Sequence, residues 1–127
     1  MRLKLDSRTP VYIQVIQYFK EQIASGALGL GEEIPSRREL ASQLKINPNT
    51  VQRAYKEMEE AGLIFTEGNM PSRITRDEHV LNKVRDELIM EAVQTFIQSI
   101  RAIDVTLDEA LRLIEQNFHG NEGKDDD

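Results

Sequence analysis

Arg38, Asn49, Gln52, Arg53 and Lys56 bring hydrogen-bonding and charged heads into one short stretch of the chain. A carboxamide offers a donor and an acceptor to a base edge. An arginine fork fits guanine or a phosphate, and a lysine supplies a mobile positive charge. On a helix, Asn49, Gln52, Arg53 and Lys56 share one side, and no carboxylate interrupts that row. Each residue alone reads as a solvated surface group; together on one face they point to nucleic acid, whereas Arg37 reads as a plain surface charge. Other chemistries find little support. The chain has no Cys, so a thiol nucleophile and a thiolate metal site are absent. His79 and His119 stand apart, without the spacing of paired ligands or of a catalytic base with its partner. No metal, no cofactor and no enzymatic activity are expected.

Two short helices with a tight turn would position the row. Ser36 and Glu39 have the S-x-x-E spacing of a capping box, which satisfies two orphan amides at a helix start. Leu40, Ala41 and Leu44 give that helix an apolar face. Asn47 is placed to cap a second helix, with Pro48 at its first position, where a missing N–H costs nothing. Val51, Ala54, Tyr55 and Met58 recur at i, i+3, i+4 and i+7, so they face a core and turn the polar row outward. A helix–turn–helix with such a second helix is a DNA-binding arrangement.

The flanks complete the picture. An extended arm over residues 1–9 carries Arg2, Lys4 and Arg8, which either approach phosphate or are simply solvated. Thr9 and Pro10 are expected to open a first helix with Tyr12, Ile16, Phe19 and Ile23 as its main stripe. Val11 and Val15 form a lesser strip, read either as ordinary core or, the preferred reading, as the surface that receives the C-terminal helices. Gly26 to Gly31 is a turn-rich connector; no strand precedes it and no Gly-Lys-Ser/Thr follows, so a phosphate loop is disfavoured. A short strand is expected over residues 32–34, and Gly62 should end the second helix of the pair. Residues 63–65 and 73–75 read as two strands of a hairpin, or wing. Asp77 is expected to cap a long helix in which Val80, Val84, Leu88, Ala92, Phe96, Ile100 and Ile103 follow at threes and fours. Thr106 and Glu109 suggest a second capping box before an amphipathic helix carrying Leu107, Ala110, Leu111, Ile114 and Phe118.

The division expected is a winged helix–turn–helix domain over 1–76, a helical region over 77–118 and a disordered acidic tail over 119–127. The fold class is mainly α with a small β-wing. The apolar stripe of the long helix is wider than two helices can bury, which points to dimerisation through Val84, Leu88, Ala92, Phe96 and Ile100. Fifty residues are too few to enclose a ligand pocket of about 300 Å³ and also stabilise themselves. The formal charge is −6, unevenly spread. Residues 1–76 hold 11 Lys/Arg and 9 Asp/Glu, a balance of +2, and residues 77–127 hold 5 and 13, a balance of −8. The negative charge thus lies away from the helix–turn–helix and would discourage non-specific nucleic-acid binding. With no long apolar run and no leader-like start, a soluble cytoplasmic protein without membrane contact is expected.

A wider pattern now stands out. Ile23, Gly26, Leu28, Gly31, Ile34, Pro35, Ser36, Arg38, Leu40, Ala41 and Leu44 are followed by residues 46–55 and by Glu60, Gly62, Leu63 and Ile64. This resembles the GntR-family winged-helix signature over roughly residues 8–76. The short two-helix C-terminal part is similar to the YtrA subfamily. The resemblance implies a bacterial transcriptional regulator, usually a repressor, that binds a pseudo-palindromic double-stranded operator as a homodimer. It further implies that the regulated genes serve membrane transport, and it identifies no small-molecule effector. It places Arg38 at a phosphate or base contact and Asn47, Pro48, Asn49 and Thr50 at the start of the recognition helix. Gln52 stands where many relatives have Arg, so the operator sequence does not carry over. The wing departs from the family's form: Gly68 is its one glycine, and Glu67 stands where a basic residue is frequent. Those departures argue against minor-groove insertion and leave Ser72 and Arg73 as candidate backbone contacts. Net acidity motivates one alternative, a winged-helix protein–protein interaction module. Steep weakening of binding with salt would separate DNA binding from that alternative.

Overall fold

Phe19 and Tyr55 meet edge to face at the centre of the first folded unit, their ring centroids 6.0 Å apart and their planes at 88°. Phe19 lies on helix α1 (Val11–Ser25) and Tyr55 on helix α3 (Pro48–Glu60), with α2 (Arg37–Leu44) before it. The computed structural model describes residues 3–120. It continues through strands β1 (Ile64–Phe65) and β2 (Arg73–Ile74) to helices α4 (Glu78–Ala102) and α5 (Leu107–Phe118). Packing divides the chain into two units, one ending at Ile89 and one beginning at Met90.

Local chemistry accounts for most helix boundaries. The capping box at α2 is complete: Glu39 N–H donates to Ser36 Oγ at 3.1 Å and Ser36 N–H to Glu39 Oε1 at 3.3 Å. Lys45, at φ +55°, turns the chain left-handed at the end of α2. Asn47 Oδ1 then accepts from Asn49 N–H at 2.8 Å, with Pro48 in the first helical position. At the far end of α3, Gly62 has φ +77°, and the N–H groups of Leu63 and Gly62 return to Met58 and Glu59 carbonyls. That is a Schellman ending, and it aims the chain into the wing.

The first helix differs from expectation at its start and its stripe. Pro10, not Thr9, occupies the N-cap, and no side chain caps the helix. The preceding arm is held by Gln14 instead, whose Nε2 donates to the Asp6 and Thr9 carbonyls, both at 2.8 Å. The fully buried residues are Val15, Phe19 and Ile23, while Tyr12 and Ile16 are half-buried. Val15 is therefore ordinary core. Around it gather Leu40, Val51, Ala54, Met58, Ile64 and Ile74. The strand expected over residues 32–34 shrinks to a single bridge between Glu33 and Arg73. Ile34 N–H still reaches the Ser72 carbonyl at 2.9 Å, but Pro35 has no N–H to extend the ladder.

Asp77 Oδ1 accepts from His79 N–H at 2.9 Å and opens α4. The first unit extends beyond Arg76, where the charge balance changes, because Val84 is buried in its core and Val80, Leu81 and Leu88 pack against it. Val84 and Leu88, expected in a seam between two chains, are thus used within one. In the second unit Thr106 Oγ1 accepts from Glu109 N–H at 3.2 Å, so only the threonine half of the expected capping box forms. Ala110 is the one buried residue there among the described residues. Of the acidic tail, residues 121–127 lie outside the described residues.

Tyr55 combines full burial with a 2.6 Å hydrogen bond from its hydroxyl to the Pro35 carbonyl. Burial pushes its phenol well above the usual value; the nearby Arg37 charge opposes the shift and Glu39 adds to it. The folded state therefore keeps this proton where the unfolded chain, titrating near 10, loses it. Stability from this group is complete below about pH 10 and should fall above it, by at most about 1.4 kcal/mol per pH unit. Tyr55→Phe should cost roughly 1–3 kcal/mol at neutral pH, through the orphaned Pro35 carbonyl. It should also flatten the alkaline decline relative to wild type. Urea unfolding of both proteins between pH 8 and 11 measures both effects.

Candidate nucleic-acid interface

Because one face of α3 is sealed into the core, its other face is presented to solvent. Asn47, Pro48, Asn49, Gln52, Arg53 and Lys56 are exposed, and Thr50 is half-buried. The first carboxylate of the helix is Glu57, so its opening turns present only amides, a hydroxyl and positive charge. From α2, Arg38 is exposed and makes no ion pair among the described residues. A free guanidinium near an uncharged amide row suits a polyanion with base edges between its phosphates.

Arg53 is exposed but not loose. Its guanidinium carbon lies 3.7 Å from the Tyr12 ring centroid, and one terminal nitrogen donates to the Tyr12 hydroxyl at 3.0 Å. Its Nε faces Glu57 at 3.6 Å. Arg37, which the sequence suggests is a plain surface charge, is structural. It reaches Glu59 at 2.8 Å and lies 5.2 Å from the centre of the Tyr55 ring.

Glu59 carries that link onward into the wing. It accepts from Thr66 Oγ1 at 2.9 Å, and Thr66 Oγ1 lies 2.6 Å from Ser72 Oγ. Ser72 is consequently buried, so its side chain does not reach the outward face. Arg73 is also turned inward: it donates to the Gly31 carbonyl at 3.1 Å and faces Glu33 at 3.6 Å. Ser72 therefore links the two arms of the wing and Arg73 ties the wing to the segment before α2, which leaves the exposed row to α2 and α3. Between the wing tip and the start of α2 lies an open groove of about 740 Å³, lined by Ser36, Arg38, Asn69, Met70 and Pro71 among others. On the flank of the wing, exposed Glu67 pairs with Arg76 at 3.6 Å, and Arg76 lies 4.5 Å from the Phe65 ring centre. Of the basic residues expected on the N-terminal arm, Lys4 and Arg8 are exposed and Arg2 lies outside the described residues.

Residues 11–74 match the family described as bacterial regulatory proteins, gntR family. The chain belongs to the GntR family. It is 30% identical to the HTH-type transcriptional regulator YhcF of Bacillus subtilis over 117 residues, 92% of this chain and 97% of that protein. Over 60 residues it is 50% identical to the HTH-type transcriptional repressor YtrA of the same organism, covering 47% of this chain and 46% of the relative. A GntR family transcriptional regulator from Listeria monocytogenes superposes with a TM-score of 0.83 at 27% identity, covering 88% of this chain and 98% of that one. The winged helix–turn–helix is thus a DNA-binding domain of a family of transcriptional regulators. Among the described residues no helix is long and apolar enough to cross a membrane.

Two substitutions probe the GntR domain's surface. Arg38→Ala should weaken binding to a duplex selected by the intact protein from a randomised pool. A lost phosphate contact should also lower the slope of log affinity against log salt by about 1. Circular dichroism should show an unchanged fold. Glu67→Lys should raise affinity for selected and random duplexes alike, because it replaces repulsion of phosphate with attraction. A gain confined to particular base pairs would instead make this wing a reader of sequence.

Proposed function

We propose that this GntR-family protein is a cytoplasmic repressor that binds a pseudo-palindromic operator as a homodimer. Two recognition helices would enter successive major grooves, about one helical turn apart, and occlude a promoter. The exposed Asn47, Pro48, Asn49, Gln52, Arg53 and Lys56, with half-buried Thr50 and with Arg38 of α2, supply the contacts. The family resemblance supports repression, since the matched YtrA protein is a repressor by name. The regulated set proposed is genes for membrane transport, as the resemblance to the YtrA subfamily implies.

The observation that carries the dimer is uncovered apolar surface. Thirteen large hydrophobic side chains are exposed among the described residues, and ten of them lie between residues 89 and 118. Phe96, Val93 and Ile114 are each about two-fifths exposed or more, and Phe118 and Ile103 are at or above 70%. An open groove of about 330 Å³ runs between the end of α4 and α5, lined by Phe96, Ile100, Ile103, Leu113 and Ile114 among others. It is open to solvent on one side. Concentrated exposed apolar surface on a small protein marks an association site. Isologous pairing would bury the strip on both copies at once. Of the five residues expected to form the seam, Ala92, Phe96 and Ile100 remain available, and the seam starts beyond Leu88.

Phe96→Asp would place a charge in that seam. Light scattering should show a dimer for the wild type at micromolar concentration and a monomer for the variant. The variant should bind one half-site and lose most affinity for the full site, since a linked second site acts at high effective concentration. A reporter driven by the selected operator should be silenced by the wild type only. A monomeric wild type, or a monomeric variant that binds the full site as tightly, would contradict the proposal.

A further inference from the structure

We propose that Tyr12 is a positioning residue for DNA recognition, holding the Arg53 guanidinium at the edge of the exposed row from the first turn of α1. The inference rests on the reading of that row as the DNA-contacting face. Separate parts of the guanidinium are held by separate groups. Its central carbon lies 3.7 Å from the Tyr12 ring centroid. One terminal nitrogen donates to the Tyr12 hydroxyl at 3.0 Å, and Nε faces Glu57 at 3.6 Å. The other terminal nitrogen has no partner among the described residues, and the side chain remains 59% exposed. Arg53 is therefore oriented without being withdrawn from solvent.

The two anchors are not equivalent. Glu57, one turn along the same helix, neutralises the guanidinium, so a phosphate must compete with it. The Tyr12 ring attracts the cation through its π face and adds no net charge. It restricts the arginine's rotamers while leaving its charge available. An arginine already held near its bound geometry loses less freedom when DNA binds. Tyr12 can serve because it is itself held. It packs half-buried against the core, two residues after Pro10 at the N-cap position of α1. The link joins residues 41 positions apart, so it also ties the recognition helix to the first helix.

The test is a double-mutant cycle on the full-length protein, titrating a duplex that the wild type selects from a randomised pool. Arg53→Ala should weaken binding. Tyr12→Leu should weaken it about threefold to tenfold, the range for freeing one long side chain. Tyr12→Phe, which keeps the stack and loses the hydroxyl, should lose less. In the Arg53→Ala background, Tyr12→Leu should cost nothing further. That last arm controls for damage to the fold, because damage would persist without Arg53. Equal losses in both backgrounds would overturn the proposal, placing Tyr12 in the fold or on the DNA itself. If Arg53→Ala weakens binding and Tyr12→Leu does not, the positioning role fails and the DNA-contacting row stands. If Arg53→Ala leaves binding unchanged, Arg53 leaves the row and the role of Tyr12 falls with it.

Discussion

The outward face of α3 depends on the burial of its other face. Val51, Ala54, Tyr55 and Met58 are fully enclosed, and Tyr55 is fixed at both ends of its side chain. Its ring meets Phe19 of α1, and its hydroxyl binds the carbonyl of Pro35 just before α2. A helix anchored this way cannot roll about its axis without exposing a large aromatic group and breaking the hydrogen bond to the Pro35 carbonyl. Since side chains repeat every 3.6 residues, fixing one face fixes the other. The positions of Asn49, Gln52 and Lys56 follow from that constraint rather than from any contact they make themselves. Asn47 and Pro48 set where the helix begins, and Gly62 sets where it ends.

Charge explains how an acidic protein presents a face suited to DNA. The net charge of −6 arises after residue 76, and three carboxylates in or near the recognition helix have partners. Glu57 faces Arg53, Glu59 holds Arg37 and Thr66, and Glu67 faces Arg76. The exposed pairs among these contribute little to stability. Their effect is local: they lower the repulsion that unpaired carboxylates would exert on phosphate. Arg38 has no such partner among the described residues, which leaves its charge available. Glu59 has a second consequence, since its links to Arg37 and Thr66 join α2, α3 and the wing through one carboxylate.

Much of this was legible in the sequence because it is local. A capping box spans four residues, an Asn-Pro helix start spans two, and a core face repeats within one helix. Ser36, Glu39, Asn47, Pro48 and the buried face of α3 all stand where those rules place them. What was not legible depends on distant partners. Arg37 finds Glu59 across 22 positions, Arg53 finds Tyr12 across 41, and Arg73 finds Gly31 across 42. No periodicity signals such pairings, so Arg37 read as surface and Arg73 and Ser72 as available to DNA. Val84 reads as part of a seam between chains for a related reason. The stripe of α4 is continuous in sequence, and only packing shows that its first turns serve one core while later residues remain uncovered. Tyr12 was visible as an apolar helix residue, but its place beneath a guanidinium was not.

The central claim is that the exposed faces of α2 and α3, carried in two copies, read one stretch of duplex. Hydroxyl-radical footprinting of the intact protein on a selected duplex tests it most directly. The account predicts two related patches of protection on the same side of the duplex, about 10–10.5 base pairs apart and flanking two successive major grooves. A single asymmetric patch, or protection with no preference for position along the duplex, would contradict it.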